Sequence, residues 1–221
     1  MASELKWDHD TAECRRNSFT VDDYAIGILL QLSPGLEYIR ISHPEKGELL
    51  VSPKRGEYIA RISDAAGFFQ AHKSAFSVTE IKEKFPQVVI SGRMEDLLWE
   101  AALHAAQGRL VDGLRKHDVV QFTRWPNLTR VSITPNVMRI CALLTRFPTG
   151  ISLGRNILRI EEDEMYSVCS AAKAVGIVSL LNRNVQLDTA EESLVAARRQ
   201  AIDESKSGRF FGRLFAKLSG L

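Results

Sequence analysis

What this chain has little of narrows it first. Three cysteines, Cys14, Cys141 and Cys169, are spread over 221 residues and share no metal-ligand spacing. Cys141 and Cys169 fall inside apolar helical patterns, where a thiol serves as a small core residue. The odd, scattered set points to a reducing compartment rather than a disulfide scaffold. No apolar run approaches the roughly 20 residues that a membrane-spanning helix needs. The start of the chain is polar and carries acids, unlike a signal peptide, so a cytoplasmic protein is expected. The histidines, His9, His43, His72, His104 and His117, are dispersed, with no His-x-x-x-His pair and no acid at ligand spacing. Asp8, His9 and Asp10 are adjacent, but three neighbouring side chains on a tail do not converge on one ion. A G-x-S-x-G elbow, a phosphate-binding glycine loop and a dinucleotide fingerprint are all missing. The expectation is a non-catalytic protein with no metal and no cofactor. A formal net charge of +2 is too small to imply a nucleic-acid partner by itself, so what matters is where the basic residues cluster.

What is present reads as an α+β chain. Residues 1–18 are polar and without period, a mobile tail. Thr20 followed by Asp22 and Asp23 predicts a capped helix start, with Tyr24, Ile28, Leu29 and Leu32 at helical spacing and a stop at Ser33, Pro34 and Gly35. Three short alternating runs at 36–41, 48–51 and 57–62, joined by turns at 43–47 and 53–56, predict a β-meander. Asp64 is placed to cap a helix reaching His72. Ser77 and Glu80 have capping-box spacing for a short helix ending before Pro86, and residues 87–90 are apolar enough for a strand. Residues 93–107 carry the apolar stripe Met94, Leu97, Leu98, Ala101, Ala102 and Ala105, with Gly108 at the end. Residues 119–122 read as a strand. Trp125 lies between Arg124 and Arg130, the company a stacking base would want. A single aromatic is not a stacking platform, however, and the expectation is an indole packed where two halves of the chain meet.

From Thr134 onward the pattern becomes helical. Thr134-Pro135 starts a helix that is apolar nearly all round, with Phe147, Pro148, Thr149 and Gly150 breaking it. Ser152 is placed to cap a short helix from Leu153 to Ile160. Glu161, Glu162, Asp163 and Glu164 open a third helix, complementing its positive end, and Met165, Val168, Cys169, Ala172 and Val175 line its inner face. Gly176 closes it before an apolar strand, and residues 185–187 could return as the arm of a short wing. The helix-breaking Phe147-Pro148-Thr149, the Ser152-led short helix and the run from Tyr166 to Val178 resemble the winged-helix superfamily, as in bacterial response-regulator output and adaptor modules. The resemblance covers about 50 residues and implies a fold more than a task.

A recognition helix should bring basic and amide side chains to DNA, yet this third helix opens with four acids and has Lys173 as its one basic residue. Arg155 and Arg159 on the short helix suit phosphate contacts without outweighing those acids. Protein contact is therefore expected over direct base readout, with Glu161, Glu162, Glu164, Arg155, Arg159 and Trp125 as the candidate interface. Beyond residue 187, Thr189 and Glu192 begin a mixed-charge helix. The last segment then places Phe210, Phe211, Leu214, Phe215 and Leu218 beside Arg209, Arg213 and Lys217, with no acid after Glu204. Such an amphipathic end can fold back, dock in a partner's groove or lie on an anionic membrane surface. The expected organisation is a tail at 1–18, an α+β region at 19–122, a winged-helix-like module at 123–187 and C-terminal helices at 188–221. The function expected is that of a regulatory or adaptor protein in bacterial signalling or assembly, with a transcription regulator as the rival and an enzyme without a recognisable motif as a distant third.

Overall fold

The computed structural model describes residues 18–81 and 91–182 of this mixed α/β protein. The described residues up to Ser179 belong to one compact unit; Leu180–Leu221 is a second, of which only residues 180–182 are described. The first unit opens with strand β1 (Ser18–Phe19), a 3-10 turn at Val21–Asp23 and helix α1 (Ala25–Leu30). The helix expected from Thr20 is thus split. Tyr24 is extended and bridges to His72, and the Thr20 hydroxyl donates to Asp112 at 2.6 Å rather than capping the turn.

The meander is present as β2 (Ile39–His43), β3 (Gly47–Ser52) and β4 (Glu57–Ile62), antiparallel, with Ile39 opposite Val51 and Val51 opposite Tyr58. That register puts Ile39, Ile41, Leu49, Val51 and Tyr58 on one face, all buried, because side chains alternate along a strand. On the other face Glu48 pairs with Arg61 directly opposite and with Arg40 diagonally, at 3.2 and 3.4 Å. The first turn requires Gly47: its φ is +116°, and a Cβ there would sit 2.1 Å from the carbonyl oxygen of Arg61.

Asp64 caps α2 (Ala65–Gln70) through Gly67 N at 3.0 Å, as its position predicts, and the buried Phe68 meets Phe69 and Phe76 edge-on at 5.4 and 4.9 Å. Ser77–Glu80 is not helical. It forms β5, an edge strand antiparallel to β2, and all four of its residues are exposed. The capping-box spacing lost to a long-range pairing that fills the open edge of the meander, and its polar residues keep that edge from pairing further. The remainder of that expected helix, from residue 82 toward Pro86, and the strand at 87–90 fall outside the described residues. The chain continues with β6 (Gly92–Arg93), antiparallel to β4, and α3 (Met94–Ala106), so the sheet runs β5-β2-β3-β4-β6.

After β7 (Leu110–Val111), parallel to β1, comes β8 (Val119–Phe122), then α4 (Val137–Arg146), β9 (Thr149–Gly150), α5 (Ile151–Leu158), α6 (Glu162–Ala174) and β10 (Val178–Leu180). A three-stranded sheet forms in the order β10-β8-β9, with β8 and β9 antiparallel. The main seam is α3 against α6. Buried Ala101, Ala102, Ala105 and Ala106 on one helix, and Ser170, Ala171 and Ala172 on the other, are small enough to let the backbones approach. Serine hydroxyls of α6 also stitch the chain leaving α3. Ser167 Oγ accepts from Gly108 N at 3.1 Å, and Ser170 Oγ accepts from Val111 N at 2.9 Å and donates to the Arg109 carbonyl at 3.2 Å.

Two local expectations change in this part. Ser152 does not cap α5. Gly150 holds that position, and Ser152, inside the first turn, donates to the Lys116 carbonyl at 2.8 Å. Nor is α4 apolar all round: Val137, Ile140, Cys141 and Leu144 are buried, whereas Met138 is 63% exposed and Arg139, Ala142 and Arg146 face solvent. The fourfold stripe faces the core, and the remaining apolar residues lie outside it.

Candidate functional site

Residues 123–136 cross from β8 to α4, and three glutamates fix their course. Arg124 donates to Glu95 on α3 at 2.7 Å, Ser132 N donates to Glu100 one turn and a half further along, and Asn136 donates to Glu164 on α6. Glu100 also pairs with His104, four residues on, at 3.4 Å, which corrects the expectation that no histidine has an acid at such spacing, and that ring stacks on Phe69. Burial works against the Glu100 charge, but the bonds from His104 and Ser132 outweigh it and hold the carboxyl below its usual range. Trp125 lies within this crossover. Its indole is 43% exposed, and it is Pro126 that is buried, so the packed-indole expectation is corrected: the rigid ring of the proline anchors the segment.

The acids opening α6 do different jobs. Glu161 is the N-cap residue, and it and Asp163 are exposed. Burial, then the hydrogen bond and charge of Glu162, push the Tyr166 phenol far above its usual range. Glu164 accepts from Asn136 N at 2.6 Å and Asn136 Nδ2 at 2.7 Å, holding the start of α4. Its burial penalty is outweighed by donors at Thr134 and Asn136 and by the nearby Arg139, so it also titrates low. Glu164 is therefore a buttress between two helices. Arg155 is half-buried, close enough to Tyr166 to oppose the effect of Glu162 there, while Arg159 is exposed at the left-handed end of α5.

Above these groups lies a face of α4 and α5 that sequence reasoning missed. The two helices meet where Leu143 approaches Gly154, a Cβ on which would be 3.6 Å from Leu143 Cδ2 and 2.7 Å from Met165 Cε. A larger residue at 154 would have to push aside the flexible end of Met165, so the glycine eases the close seat of α5 on α6. Leu153 and Ile157, one turn apart on the outer flank of α5, are 56% and 55% exposed, and Phe147, one turn past Leu143, is 56% exposed. Of the eight large apolar side chains exposed among the described residues, six fall after residue 120: Trp125, Ile133, Met138, Phe147, Leu153 and Ile157. Singly such residues are ordinary, but six within residues 125–157 are a concentration along the chain, and Phe147, Leu153 and Ile157 lie on neighbouring helix ends. The signal that could have found the face is charge. Residues 119–160 contain six arginines, Arg124, Arg130, Arg139, Arg146, Arg155 and Arg159, and neither an acid nor a lysine.

Other candidates resolve into structure. A surface hollow of about 420 Å³ is lined by Ser18, Phe19, Thr20, Asp23, Tyr24, Arg109 and Asp112. Its chief polar groups already satisfy one another. The Arg109 guanidinium lies 5.5 and 5.8 Å from the Phe19 and Tyr24 rings, donates to Tyr24 Oη at 2.9 Å, and closes α3 by bonding the Ala105 and Ala106 carbonyls at 3.1 Å. His72 accepts from Ser74 N, and His43 lies edge-on to Phe76. Buried Cys141 and Cys169 have thiols pushed by desolvation up to about 12, and so stay protonated at neutral pH. Among the described residues no group of three or more His, Cys, Asp or Glu could hold a metal ion, and no helix is long and apolar enough to cross a membrane. The expected docking residues Arg209, Phe210, Phe211, Arg213, Leu214, Phe215, Lys217 and Leu218, with the wing arm at 185–187, lie outside the described residues. Compared with models of protein families, with curated proteins and with solved structures, the chain matches none.

Proposed function

We propose that this protein acts through protein–protein contacts, as a regulatory or adaptor protein without catalytic chemistry of its own. In this reading the part from α4 to β10 is a winged-helix-like module, a view supported by its order of helix, strand, helix, helix and strand. The observation that carries the contact role is the outer face of α4 and α5, where Phe147, Leu153 and Ile157 stay more than half exposed beside a helix opening with acids. An apolar face gains free energy when another protein covers it, whereas exposed Glu161 and Asp163 would repel a phosphate backbone.

A transcription regulator is the second reading, and the arginines of residues 119–160 favour it. Three of them are engaged, however: Arg124 with Glu95, and two more. Arg139 donates to Asn136 Oδ1 and the Leu158 carbonyl, both at 2.7 Å, and Arg155 is half-buried. The basic, phenylalanine-rich segment Arg209 to Leu221 is a second contact candidate, toward a partner or an anionic membrane surface.

Affinity capture from native cells separates these readings when the full chain is compared with Ile157→Asp and with a chain ending at Ser207. A protein partner lost with Ile157→Asp supports the contact module, and loss only on truncation moves the contact to the C-terminal segment. Tight duplex-DNA binding that weakens steeply with salt, with no protein captured, would overturn the proposal in favour of the regulator.

A further inference from the structure

We propose that the occupant of the α4–α5 face is an acidic amphipathic helix of another protein; this rests on the contact-module reading and names the class of partner. The face has a defined shape. Gly154 and Ile151 turn inward, so Leu153 and Ile157 form a stripe on the flank of α5, and Phe147 stands at the near end of α4. Leu153 and Ile157 are separated by one helical turn, about 6 Å along the axis, which is the repeat at which a partner helix presents its own apolar residues.

Charge selects among such helices. Arg146 lies beside this stripe, its guanidinium 5.7 Å from the Phe147 ring, and Arg159 lies at the far end of α5. Neither has an ion pair with another described residue; no acid occurs between residues 119 and 160, the nearest to the stripe being Glu161, two residues past Arg159, so Arg146 carries most of the charge selection. A helix with apolar side chains at i, i+4 and i+7 and carboxylates on its flanks would cover Phe147, Leu153 and Ile157 and place its acids against Arg146 and Arg159. A nucleic-acid backbone would meet the arginines but offer nothing to bury the three apolar side chains. A flat anionic bilayer would reach the exposed Glu161 and Asp163 next to Arg159. A helix about 10 Å across, lying along Leu153 and Ile157, covers a narrower strip than a bilayer does.

The test uses the full chain, immobilised, and a surface-displayed library of random peptides of about 18 residues, five helical turns. The expected result is enrichment of acidic peptides with apolar residues at helical spacing. Their binding should weaken roughly thirtyfold or more in Leu153→Asp/Ile157→Asp, a loss of hot-spot size. Charge reversal in Arg146→Glu/Arg159→Glu should shift the enriched set toward basic peptides. Because these side chains are exposed, the variants should keep the thermal melt of the parent; Leu153→Gln/Ile157→Gln is the milder second pair. Three results would overturn the proposal: no enrichment, enriched peptides without acidic bias, or peptides that bind parent and variants alike. So would retention of duplex DNA or of phosphatidylserine vesicles through these same residues. If affinity capture reports a protein partner lost with Ile157→Asp while the library yields no acidic helix, the contact module stands and this partner class falls. If neither is seen, both fall.

Discussion

The two parts of this molecule handle apolar surface in opposite ways. In the first, up to β7, the sheet and α1–α3 cover one another, and among the described residues only Leu30 and Val78 remain as large exposed apolar residues. Its surface charges are also met locally, Glu48 by Arg40 and Arg61, and Glu37 by Lys54. In the second, α4 and α5 keep Met138, Phe147, Leu153 and Ile157 outside and gather arginines with no acid among them. Both parts share one core through the α3–α6 seam, so the exposure in the second is not poor folding. The lesson is that one compact unit can bury its apolar residues on one part and leave a row of them exposed on another, which is where the proposed contact would form.

That contrast can be broken by substitution, and the largest effect should come from the first part. Phe68→Ala, at a fully buried position among three aromatic contacts, should cost about 3–5 kcal/mol in chemical denaturation. Next comes the knot at Arg109. Arg109→Lys cannot reproduce the planar fork that meets Tyr24 and two helix carbonyls, and should cost about 1.5–3 kcal/mol. A wild-type melt there would show the knot to be ornamental.

A smaller effect is expected at the buttress. Glu164→Gln should lose about 1–2 kcal/mol at pH 7 by weakening the hold on Asn136. The Glu164 carboxyl titrates below the ordinary 4.5 in the folded protein, so its contribution is fully present above that pH and disappears as pH falls through the folded value. The gap in melting temperature between wild type and Glu164→Gln should therefore narrow below about pH 4.5; a constant gap would contradict the ionic account. The smallest effect on stability belongs to the exposed face: Leu153→Asp/Ile157→Asp should change it by no more than about 0.5 kcal/mol.

Much of the first part was legible in the sequence because its signals are local. Alternation marked β2 to β4, Asp64 announced its own cap, and the stripe of α3 repeats at helical spacing. What escaped depended on distant partners. Ser77–Glu80 has the spacing of a helix start, but β2 lies some 38 residues earlier and turns it into a strand. Tyr24 fits a helical stripe until His72 pairs with it. The acids of α6 were read as one charged patch, yet Glu164 turns to Asn136, 28 residues back, while Glu161 and Asp163 stay in water. The apolar residues of α4 were read as lying nearly all round the helix, because composition cannot separate a buried Leu144 from an exposed Met138. The arginine run was the available clue to that face.

The most direct test of the contact surface compares the two parts at matched exposure. A photoreactive amino acid is placed at Ile157, 55% exposed on α5, and in a second variant at Val78, 50% exposed on β5, in the full chain expressed in its native cells. The account predicts discrete protein adducts after irradiation from position 157 and none from position 78. Adducts of equal yield from both positions, or nucleic-acid adducts alone from position 157, would contradict it.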